Sequence, residues 1–291
     1  MKNIFIIAAL CAALYACTST KKITAPNAAV PKLLGVHTEK DLRKKPYSEW
    51  FVKNYNDYKI DTATAEMIKP LLAGKQIEIF MGTWCGDSKR EVPRMLKILK
   101  YCNLPLSNIK IIMVDNEDSS YKQSPTHEER NLNIHRVPDL LIYDKNIEKG
   151  RIVEEPVESI EKDLLTLLQG KKYETSYRGI NYLHSQFTLH GIEGVEKDSA
   201  RIVAALKPLL KGKFEIGPYA RIMLNSGYVR KGLLIYTLNT LAFPTEADVF
   251  YRMGAYYLQT GDTINAKTNF EKALQLKPGY EDAQKKLEEL K

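Results

Sequence analysis

The chain has 291 residues, of which 44% are hydrophobic and 27% are charged, and its formal net charge is +8. This composition is typical of a soluble globular protein, and the length is sufficient for more than one hydrophobic core. The positive charge is spread along the chain and is not interleaved with aromatic residues, so it does not indicate a nucleic-acid-binding protein. The five histidines show no metal-ligand spacing, and the sequence predicts no metal site and no cofactor.

Residues 1–16 are predicted to be an export signal. They hold one lysine, Lys2, followed by an apolar run that is too short to span a bilayer. The run ends in "LYAC", residues 14–17, which resembles the lipobox of bacterial lipoproteins. The resemblance implies cleavage before Cys17 and a lipid on that residue. We therefore expect an exported protein, held in the bacterial envelope by its lipid at the outer membrane and facing the periplasm. A plain signal peptide or an uncleaved anchor is the alternative.

An α/β domain is predicted to follow a tether. Residues 17–45 are rich in Thr, Ser, Pro and Ala in their first part and show no sustained period, which predicts the tether. Over residues 46–170, a helical extension precedes alternating strands and helices, with a short helix expected at residues 125–134 and a hairpin and helix at the end. An aromatic stripe at helical spacing in the extension is interpreted as core. Its members are Trp50, Phe51, Tyr55 and Tyr58.

The strand signal fades after residue 170. Residues 171–211 are predicted to be connecting helices, and residues 212–291 helical repeats. Pro244 and Pro278 are 34 residues apart, which is the period of tetratricopeptide helix pairs. The stretch "FYRMGAYYLQTGDTINAKTNFEKALQLKP" resembles that repeat, and the resemblance implies a surface that recruits an unidentified protein partner. One and a half repeats cannot bury a core alone, so we expect them to pack on the middle helices or on that partner.

The stretch "FMGTWCGDSKREVP", residues 80–93, is typical of the end of a buried strand, a tight turn and the start of a helix. It resembles the active-site segment of thioredoxin-like proteins, with Pro93 at the kink proline of the helix. A second stretch, "NIHRVPDLLIY", resembles the cis-proline segment of the same family. The resemblance covers roughly residues 75–170. It implies a central mixed sheet flanked by helices, with Val137–Pro138 cis, packed against Cys85 and presenting backbone groups to a bound peptide.

Two residues depart from the family pattern. Ser88 occupies the position of the resolving cysteine, so a disulfide within this motif is impossible. Ile79 stands where thioredoxins often bury an aspartate, so that proton acceptor is missing. A lone thiol can attack a disulfide, but it stays in the mixed disulfide until another thiol frees it. The pattern therefore favours exchange over net disulfide reduction.

The predicted site contains several groups that can activate Cys85. At a helix N-terminus, free N–H groups and the helix dipole favour the thiolate. Positive charge is expected from Lys89 and Arg90, and Asp87 opposes it. We also expect Ser88 to donate a hydrogen bond to the sulfur, and Trp84 to limit water access and guide a substrate. The full set of candidate residues is Trp84, Cys85, Ser88, Val137 and Pro138, with Asp87, Arg90, His135 and Arg136 as possible helpers.

Two residues have simpler interpretations. His135 is better interpreted as an exposed loop residue than as an acid–base helper. Cys102 lies 17 residues after Cys85, about 25 Å along an unbroken helix, which is beyond disulfide reach. We interpret Cys102 as a packing residue.

The sequence favours monothiol exchange through Cys85, on envelope proteins that carry thiols or disulfides. The alternative is a non-catalytic adaptor or scaffold in which Cys85 is incidental. "CGDS" is also similar to the "CGFS" of monothiol glutaredoxins, which bind glutathione and an iron–sulfur cluster. Trp84, Pro93 and the export signal favour the thioredoxin branch.

Overall fold

A five-stranded mixed sheet forms the centre of the first half of the chain in the computed structural model, which describes residues 30–290. Its strand order is β1-β3-β2-β4-β5. β2 and β3 run parallel, and the other neighbouring pairs run antiparallel. The strands are β1 (Gly35–His37), β2 (Gln76–Met81), β3 (Ile109–Met113), β4 (Asp139–Asp144) and β5 (Ile147–Val153). The predicted central mixed sheet is confirmed.

Five helices accompany this sheet, and α2 and α3 pack against α4 and α5 respectively. Most of the apolar residues of the sheet and these helices form one core. Phe51 of the aromatic stripe is fully buried, and the other three members pack against this core, which confirms their interpretation. The helices are α1 (Glu39–Leu42), α2 (Ser48–Asp57), α3 (Thr62–Ile68), α4 (Gly86–Tyr101) and α5 (Ile160–Leu168).

The folded part of the chain begins earlier than the sequence predicts. β1 pairs with β3, and Leu42 of α1 is completely buried. The predicted tether over residues 17–45 is therefore too long. A three-residue strand and a four-residue helix are too short to produce a recognisable period. Cys17 and the predicted signal over residues 1–16 lie outside the described residues.

The connection between β3 and β4, residues 114–138, is irregular, and we call it the crossover loop. The short helix predicted at residues 125–134 is wrong, because this segment forms turns instead. His127, Asn131 and Asn133 have φ angles of 58°, 66° and 55°. A residue in this left-handed region interrupts a right-handed helix.

Pro93 lies inside α4, and its effect on the helix is compensated by a neighbour. Proline has no N–H, so the carbonyl four residues earlier, that of Lys89, loses its helical partner. The side-chain amide of Asn54 on α2 donates to this carbonyl at 3.0 Å. The proline therefore creates an attachment point that holds α2 against the first half of α4.

The second half of the chain is helical, as predicted. α8 pairs with α9, α10 pairs with α11, and α9 also packs on α6 and α7. A Cβ at Gly254 would lie 2.8 Å from the Phe270 ring, so the α10–α11 pair is too close for any larger residue. Throughout the described residues, no helix is both long enough and apolar enough to cross a membrane. The helices are α6 (Arg178–Lys197), α7 (Ser199–Leu206), α8 (Gly217–Asn225), α9 (Val229–Ala242), α10 (Ala247–Gln259), α11 (Thr263–Leu276) and α12 (Glu281–Glu289).

The helical region docks on the crossover loop, and from Lys32 onward the chain forms one compact unit. The side chain of Gln123 donates to the Asn225 carbonyl at 3.0 Å. Asn225 in turn donates to the carbonyl of Asp118 at 2.9 Å. The Arg221 guanidinium lies 4.0 Å from the ring centre of Tyr121. These contacts fix the loop that follows β3 and leads to Pro138.

Candidate active site around Cys85

Cys85 lies at the junction of β2 and α4. Its backbone is extended, with φ −86° and ψ 128°, and it caps the N-terminus of α4. Its N–H donates to the Gly82 carbonyl at 3.0 Å, which closes the turn after the strand. The first N–H groups of a helix have no carbonyl partners within it, so they present partial positive charge to the half-buried sulfur.

The Val137–Pro138 peptide bond is cis, and it lies beside Cys85. The thiol donates to the Val137 carbonyl, with 3.2 Å between Sγ and the oxygen. Both parts of this structural prediction are therefore confirmed. The contact joins the segment before β4 to the N-terminus of α4, so the backbone of the crossover loop lies directly beside the sulfur.

Trp84 is fixed by its polar edge and by a glycine. Its indole N–H donates to the Val114 carbonyl at 2.8 Å. A Cβ placed on Gly82 would lie 2.4 Å from the indole ring, so only glycine leaves room for the ring in this position. The half-buried ring forms one wall beside the sulfur, which agrees with its predicted location.

Ser88 has a different partner from the predicted one. It is fully buried, and its Oγ accepts the Gly82 N–H at 3.2 Å. Among the described residues no hydrogen bond joins Ser88 to Cys85. The expected donation to the sulfur is therefore wrong, because the hydroxyl turns toward the strand–helix junction and stabilises it. Ile79 is also fully buried, so its position offers no proton acceptor.

The charge of Arg90 is already matched by carboxylates. Arg90 forms ion pairs with Asp87, at 2.7 Å, and with the buried Glu91. Asp87 and Arg90 were expected to act on the thiolate in opposite directions. Their pairing leaves little net field at the sulfur, since opposite charges at this distance largely cancel.

His135 and Arg136 hold the crossover loop instead of helping at the sulfur. His135 is buried between the rings of Tyr177 and Tyr219, so its interpretation as an exposed residue is wrong. Its Nδ1–H donates to the Asn133 carbonyl, and burial lowers its pKa to about 3. The ring is therefore neutral at pH 7 and is a poor proton carrier.

Arg136 reaches the helical region. Its guanidinium donates to the carbonyls of Phe214 and Glu215, both at 3.3 Å, and lies 5.0 Å from the ring centre of Tyr177. These contacts tie the residue before Val137 to the segment that precedes α8. Arg136 therefore fixes the position of the cis-proline segment.

Sequence reasoning missed Lys122 of the crossover loop. Its side chain is 5% exposed, and its ammonium lies 5.2 Å from the ring centre of Trp84 and 4.9 Å from that of Tyr121. Burial lowers the pKa of Lys122 to about 8, and the negative charge of a Cys85 thiolate opposes that shift. No local signal marks this lysine, because it occurs in an irregular segment and is buried only by tertiary contacts.

Two acidic residues near the cis-proline were also missed. The N–H of Glu154 donates to the Pro138 carbonyl at 2.7 Å, and burial raises the pKa of its carboxyl group. Asp139 is fully buried and forms an ion pair with Arg151 at 3.2 Å. Burial raises the pKa of Asp139, and the guanidinium opposes this effect. In the sequence, Asp139 directly follows Pro138 and Glu154 directly follows β5. No other pattern marks these two residues.

Cys102 has the environment of a packing residue, as predicted. It is 3% exposed, and its thiol donates to the Ala65 carbonyl at 3.4 Å. Burial raises its pKa to about 11. Cys85 and Cys102 are both free thiols. No group of three or more His, Cys, Asp or Glu side chains within residues 30–290 could hold a metal ion.

Comparison with known proteins supports the assignment of this domain. No curated protein matches the chain. Residues 38–165 match the family model described as Thioredoxin. The matched segment contains β2 to β5, the Trp84–Cys85 turn and the cis-proline. With this match and the five-stranded mixed sheet, residues 38–165 are a thioredoxin-like domain, joined to a helical C-terminal region.

Proposed function

We propose that this protein performs monothiol thiol–disulfide exchange, with Cys85 as the nucleophile. The observation that supports this proposal is the position of the sulfur. Cys85 is half-buried at the N-terminus of α4, beside the Val137 carbonyl and the Trp84 ring, and without a second cysteine in the motif. The helix terminus favours the thiolate, and the thiolate is the attacking species in exchange.

The exchange step conserves atoms and electrons. The Cys85 thiolate attacks one sulfur of a substrate disulfide, forming a new S–S bond while the old one breaks. The departing thiolate takes a proton from solvent. Because Ser88 cannot displace the substrate, a second thiol, on the substrate or from solution, must attack the mixed disulfide to release it. Net exchange of disulfide partners follows, without an external oxidant.

Trapping of mixed disulfides tests this function. The full chain is incubated with a peptide disulfide and quenched with acid, and adducts are mapped by mass spectrometry. We expect an adduct on Cys85, its loss in Cys85→Ser and its retention in Cys102→Ser. Absence of any Cys85 adduct under conditions where free cysteine reacts would refute the proposal.

The second candidate function is a non-catalytic adaptor. It is favoured by the buried Ser88 and Ile79, which remove the resolving thiol and the acid, and by the helical region docked on the crossover loop. An adaptor tolerates Cys85→Ala in every functional assay. Equal phenotypes of wild type and Cys85→Ala in cells would therefore favour the adaptor over exchange.

We further propose that the helices α8 to α12 recruit a protein partner in the manner of tetratricopeptide repeats. A cavity of about 540 Å³ on this region is lined in part by Arg221, Tyr251 and Arg252. Arginine and tyrosine are enriched in the energetic centres of protein interfaces. Crosslinking from position 252, followed by mass spectrometry, should identify a partner, and failure to enrich any protein over Arg252→Ala would count against this role.

The proposed location is the bacterial envelope, with Cys17 as a lipid-bearing N-terminus, and the proposed substrates are envelope proteins with thiols or disulfides. The support is the "LYAC" pattern after an apolar run. Mass spectrometry of the native protein tests it. A diacylglyceryl or triacyl mass on Cys17 is expected, and an unmodified N-terminus elsewhere contradicts it.

A further inference from the structure

Lys122 is a buried cation without a conventional partner. Its side chain is 5% exposed, and within residues 30–290 its ammonium has neither an ion-paired carboxylate nor a hydrogen-bond acceptor. Its ammonium lies over the faces of Trp84 and Tyr121. Aromatic faces attract a cation, but they replace only part of the hydration that burial removes. Burial of this ammonium therefore costs free energy that the two rings offset only in part.

The backbone around Lys122 fixes the residue in this place. Its φ angle is +57°, in the left-handed region that a lysine seldom occupies. Its N–H donates to the Asp115 carbonyl at 2.8 Å, and the Asp115 N–H donates to the Gln123 carbonyl at 2.9 Å. The side chain of Gln123 is in turn bound to the helical region. The turn that buries Lys122 is therefore fixed from both sides.

The charged and titratable groups around Lys122 show which of them could balance its ammonium. Facing Lys122 are two other cations, a half-buried carboxyl, a buried acid that is already ion-paired, a neutral histidine, a tyrosine and one thiol. Of these groups, a negative Cys85 sulfur and the Glu154 carboxylate are the ones that would favour the ammonium. These groups are Arg136, Arg221, Glu154, Asp139, His135, Tyr121 and Cys85.

Two other candidate cations near Cys85, Arg90 and Arg136, are already engaged. Arg90 is paired with Asp87 and Glu91, and Arg136 is bound to two carbonyls of the helical region. The Val137 carbonyl, which accepts the thiol hydrogen, opposes a negative sulfur because its oxygen also carries partial negative charge. Of the three cations Arg90, Arg136 and Lys122, Lys122 is therefore the one whose charge no carboxylate or carbonyl of the described residues engages.

We propose that Lys122 is the electrostatic partner of the Cys85 thiolate, held over the Trp84 ring by the crossover loop. Lys122 acts through the sulfur and is a positioning residue. The inference rests on the proposed function only in taking Cys85 as the reactive thiol. Removing the ammonium lowers the thiolate fraction and also removes an attraction for anionic reagents approaching the sulfur.

The test is the alkylation rate of Cys85 as a function of pH, in full-length Cys102→Ser background. The reagents are neutral iodoacetamide and anionic iodoacetate. We expect Lys122→Met to slow iodoacetamide about fivefold at pH 7, and to slow iodoacetate more, so that the rate ratio of the two reagents shifts. Lys122→Arg retains the charge and should restore the reagent ratio toward that of wild type.

Lys231 provides the matched control. Its half-buried ammonium also lies over two aromatic rings, those of Phe187 and Tyr219, and it lines the same cavity of about 260 Å³ as Lys122. Burial lowers the pKa of Lys231, and no interaction with Cys85 contributes to that shift. Lys231→Met should leave both alkylation rates unchanged. Urea unfolding guards against a folding artefact, because removing a buried ammonium should raise, not lower, the unfolding midpoint of Lys122→Met.

The outcomes separate this inference from the proposed function. Unchanged rates and an unchanged reagent ratio in Lys122→Met, or equal effects of Lys231→Met, would overturn the role of Lys122 even if Cys85 forms mixed disulfides. A Lys122-dependent alkylation rate together with no mixed disulfide on Cys85 would support the inference and reject the exchange function.

Discussion

The two ends of α4 place the same chemical group in opposite environments. Cys85 caps the N-terminus, half-buried, with a carbonyl, an indole ring and a lysine around it. Cys102 caps the C-terminal end, 3% exposed, in the apolar core between α3 and the sheet. The helix dipole favours a negative sulfur at the first end and disfavours it at the second. Reactivity of a thiol is therefore determined by position and surroundings, and both differ here within one helix.

The largest expected difference between the two ends is in alkylation. Burial raises the pKa of Cys102 to about 11, against about 8.5 for a free thiol, so its thiolate fraction at pH 7 is roughly 300-fold lower than that of a free thiol. Cys85→Ser should lower the iodoacetamide rate summed over positions 85 and 102, measured by mass spectrometry, by about 100-fold. Cys102→Ser should change it little. Similar rates in the two single variants would show that the thiols at the two ends of α4 do not differ in reactivity.

A second cysteine near Cys85 would change the N-terminal end of α4 and leave Cys102 at the other end unchanged. Ser88→Cys places a resolving thiol three residues after Cys85, and we expect the mixed disulfide with a peptide to decay about tenfold faster or more. Ser88→Ala is the control, since it removes the hydroxyl that accepts from Gly82 but adds no sulfur. The measurement is adduct lifetime after dilution into thiol-free buffer. Equal lifetimes in Ser88→Cys and Ser88→Ala would show that the introduced thiol cannot reach the adduct.

Packing of the Trp84 ring near Cys85 depends on Gly82. A Cβ there overlaps the Trp84 ring, whereas a Cβ at Gly86 meets no atom within 4 Å. We expect Gly82→Ala to destabilise the protein by about 1–3 kcal/mol and to shift Trp84 fluorescence. Gly86→Ala, on the first turn of α4, should be neutral or slightly stabilising. Urea unfolding of both variants checks this, and equal stabilities would mean that the ring moves freely.

His135, on the crossover loop, should make the stability of the protein depend on pH. Its folded pKa of about 3 is below the 6.5 of the unfolded chain, so the unfolded state binds the proton first. Stability from this group is therefore complete above about pH 6.5 and is lost as the pH falls toward 3, with a loss of about 2 kcal/mol by pH 5.

The His135 prediction is measured by subtraction. Unfolding free energies at pH 7 and pH 5 are compared for wild type and His135→Phe, which keeps an aromatic ring beside Tyr177 and Tyr219. The pH-dependent loss should be about 2 kcal/mol smaller in the variant. Burial raises the pKa of Asp139, which affects stability in the opposite direction over an overlapping range. Both proteins contain Asp139, so its contribution cancels. Parallel pH profiles would contradict the assignment of His135 as a buried neutral residue.

The smallest effect concerns the link from α2 to α4. Asn54→Ala removes the amide that donates to the Lys89 carbonyl at 3.0 Å and to the Trp50 carbonyl at 2.9 Å. Because Pro93 leaves the Lys89 carbonyl without a helical donor, the change should cost about 1 kcal/mol. Asn56→Ala is the matched control, because Asn56 lies exposed on the same helix and undergoes the same change in helix propensity. Thermal or urea unfolding gives the difference. If Asn56→Ala costs as much, the carbonyl does not depend on Asn54.

The parts of the site that depend on short local patterns could be predicted from the sequence. "TWCG" after an apolar strand located Cys85 at a helix start, and "RVPD" located the cis-proline, because both are short patterns whose backbone geometry depends on their own residues. The central sheet and the helical second half follow from period and composition. Cys102 could be assigned to the core because it follows apolar residues on a single helix.

The rest depends on contacts between distant parts of the chain. His135 is buried by Tyr177 and Tyr219, and Lys122 by Trp84 and Tyr121, and neither pairing has a local signature. The helical region that docks on the crossover loop determines which polar residues are exposed there. A sequence pattern identifies the residues of this loop, but only the tertiary structure shows which of them lose contact with water.

In the proposed exchange, the hydrogen bond from Cys85 to the Val137 carbonyl would couple formation of the mixed disulfide to recognition of the substrate. A sulfur in a disulfide carries no hydrogen, so the 3.2 Å contact that exists in the resting thiol cannot exist as a hydrogen bond in the mixed disulfide. The carbonyl then lacks a donor at the moment when a substrate backbone arrives beside it. Formation of the mixed disulfide would thus free an acceptor for a peptide N–H, and release of the substrate would occupy it again. Through this one oxygen atom, capture of the substrate would strengthen its binding, and regeneration of the thiol would weaken it.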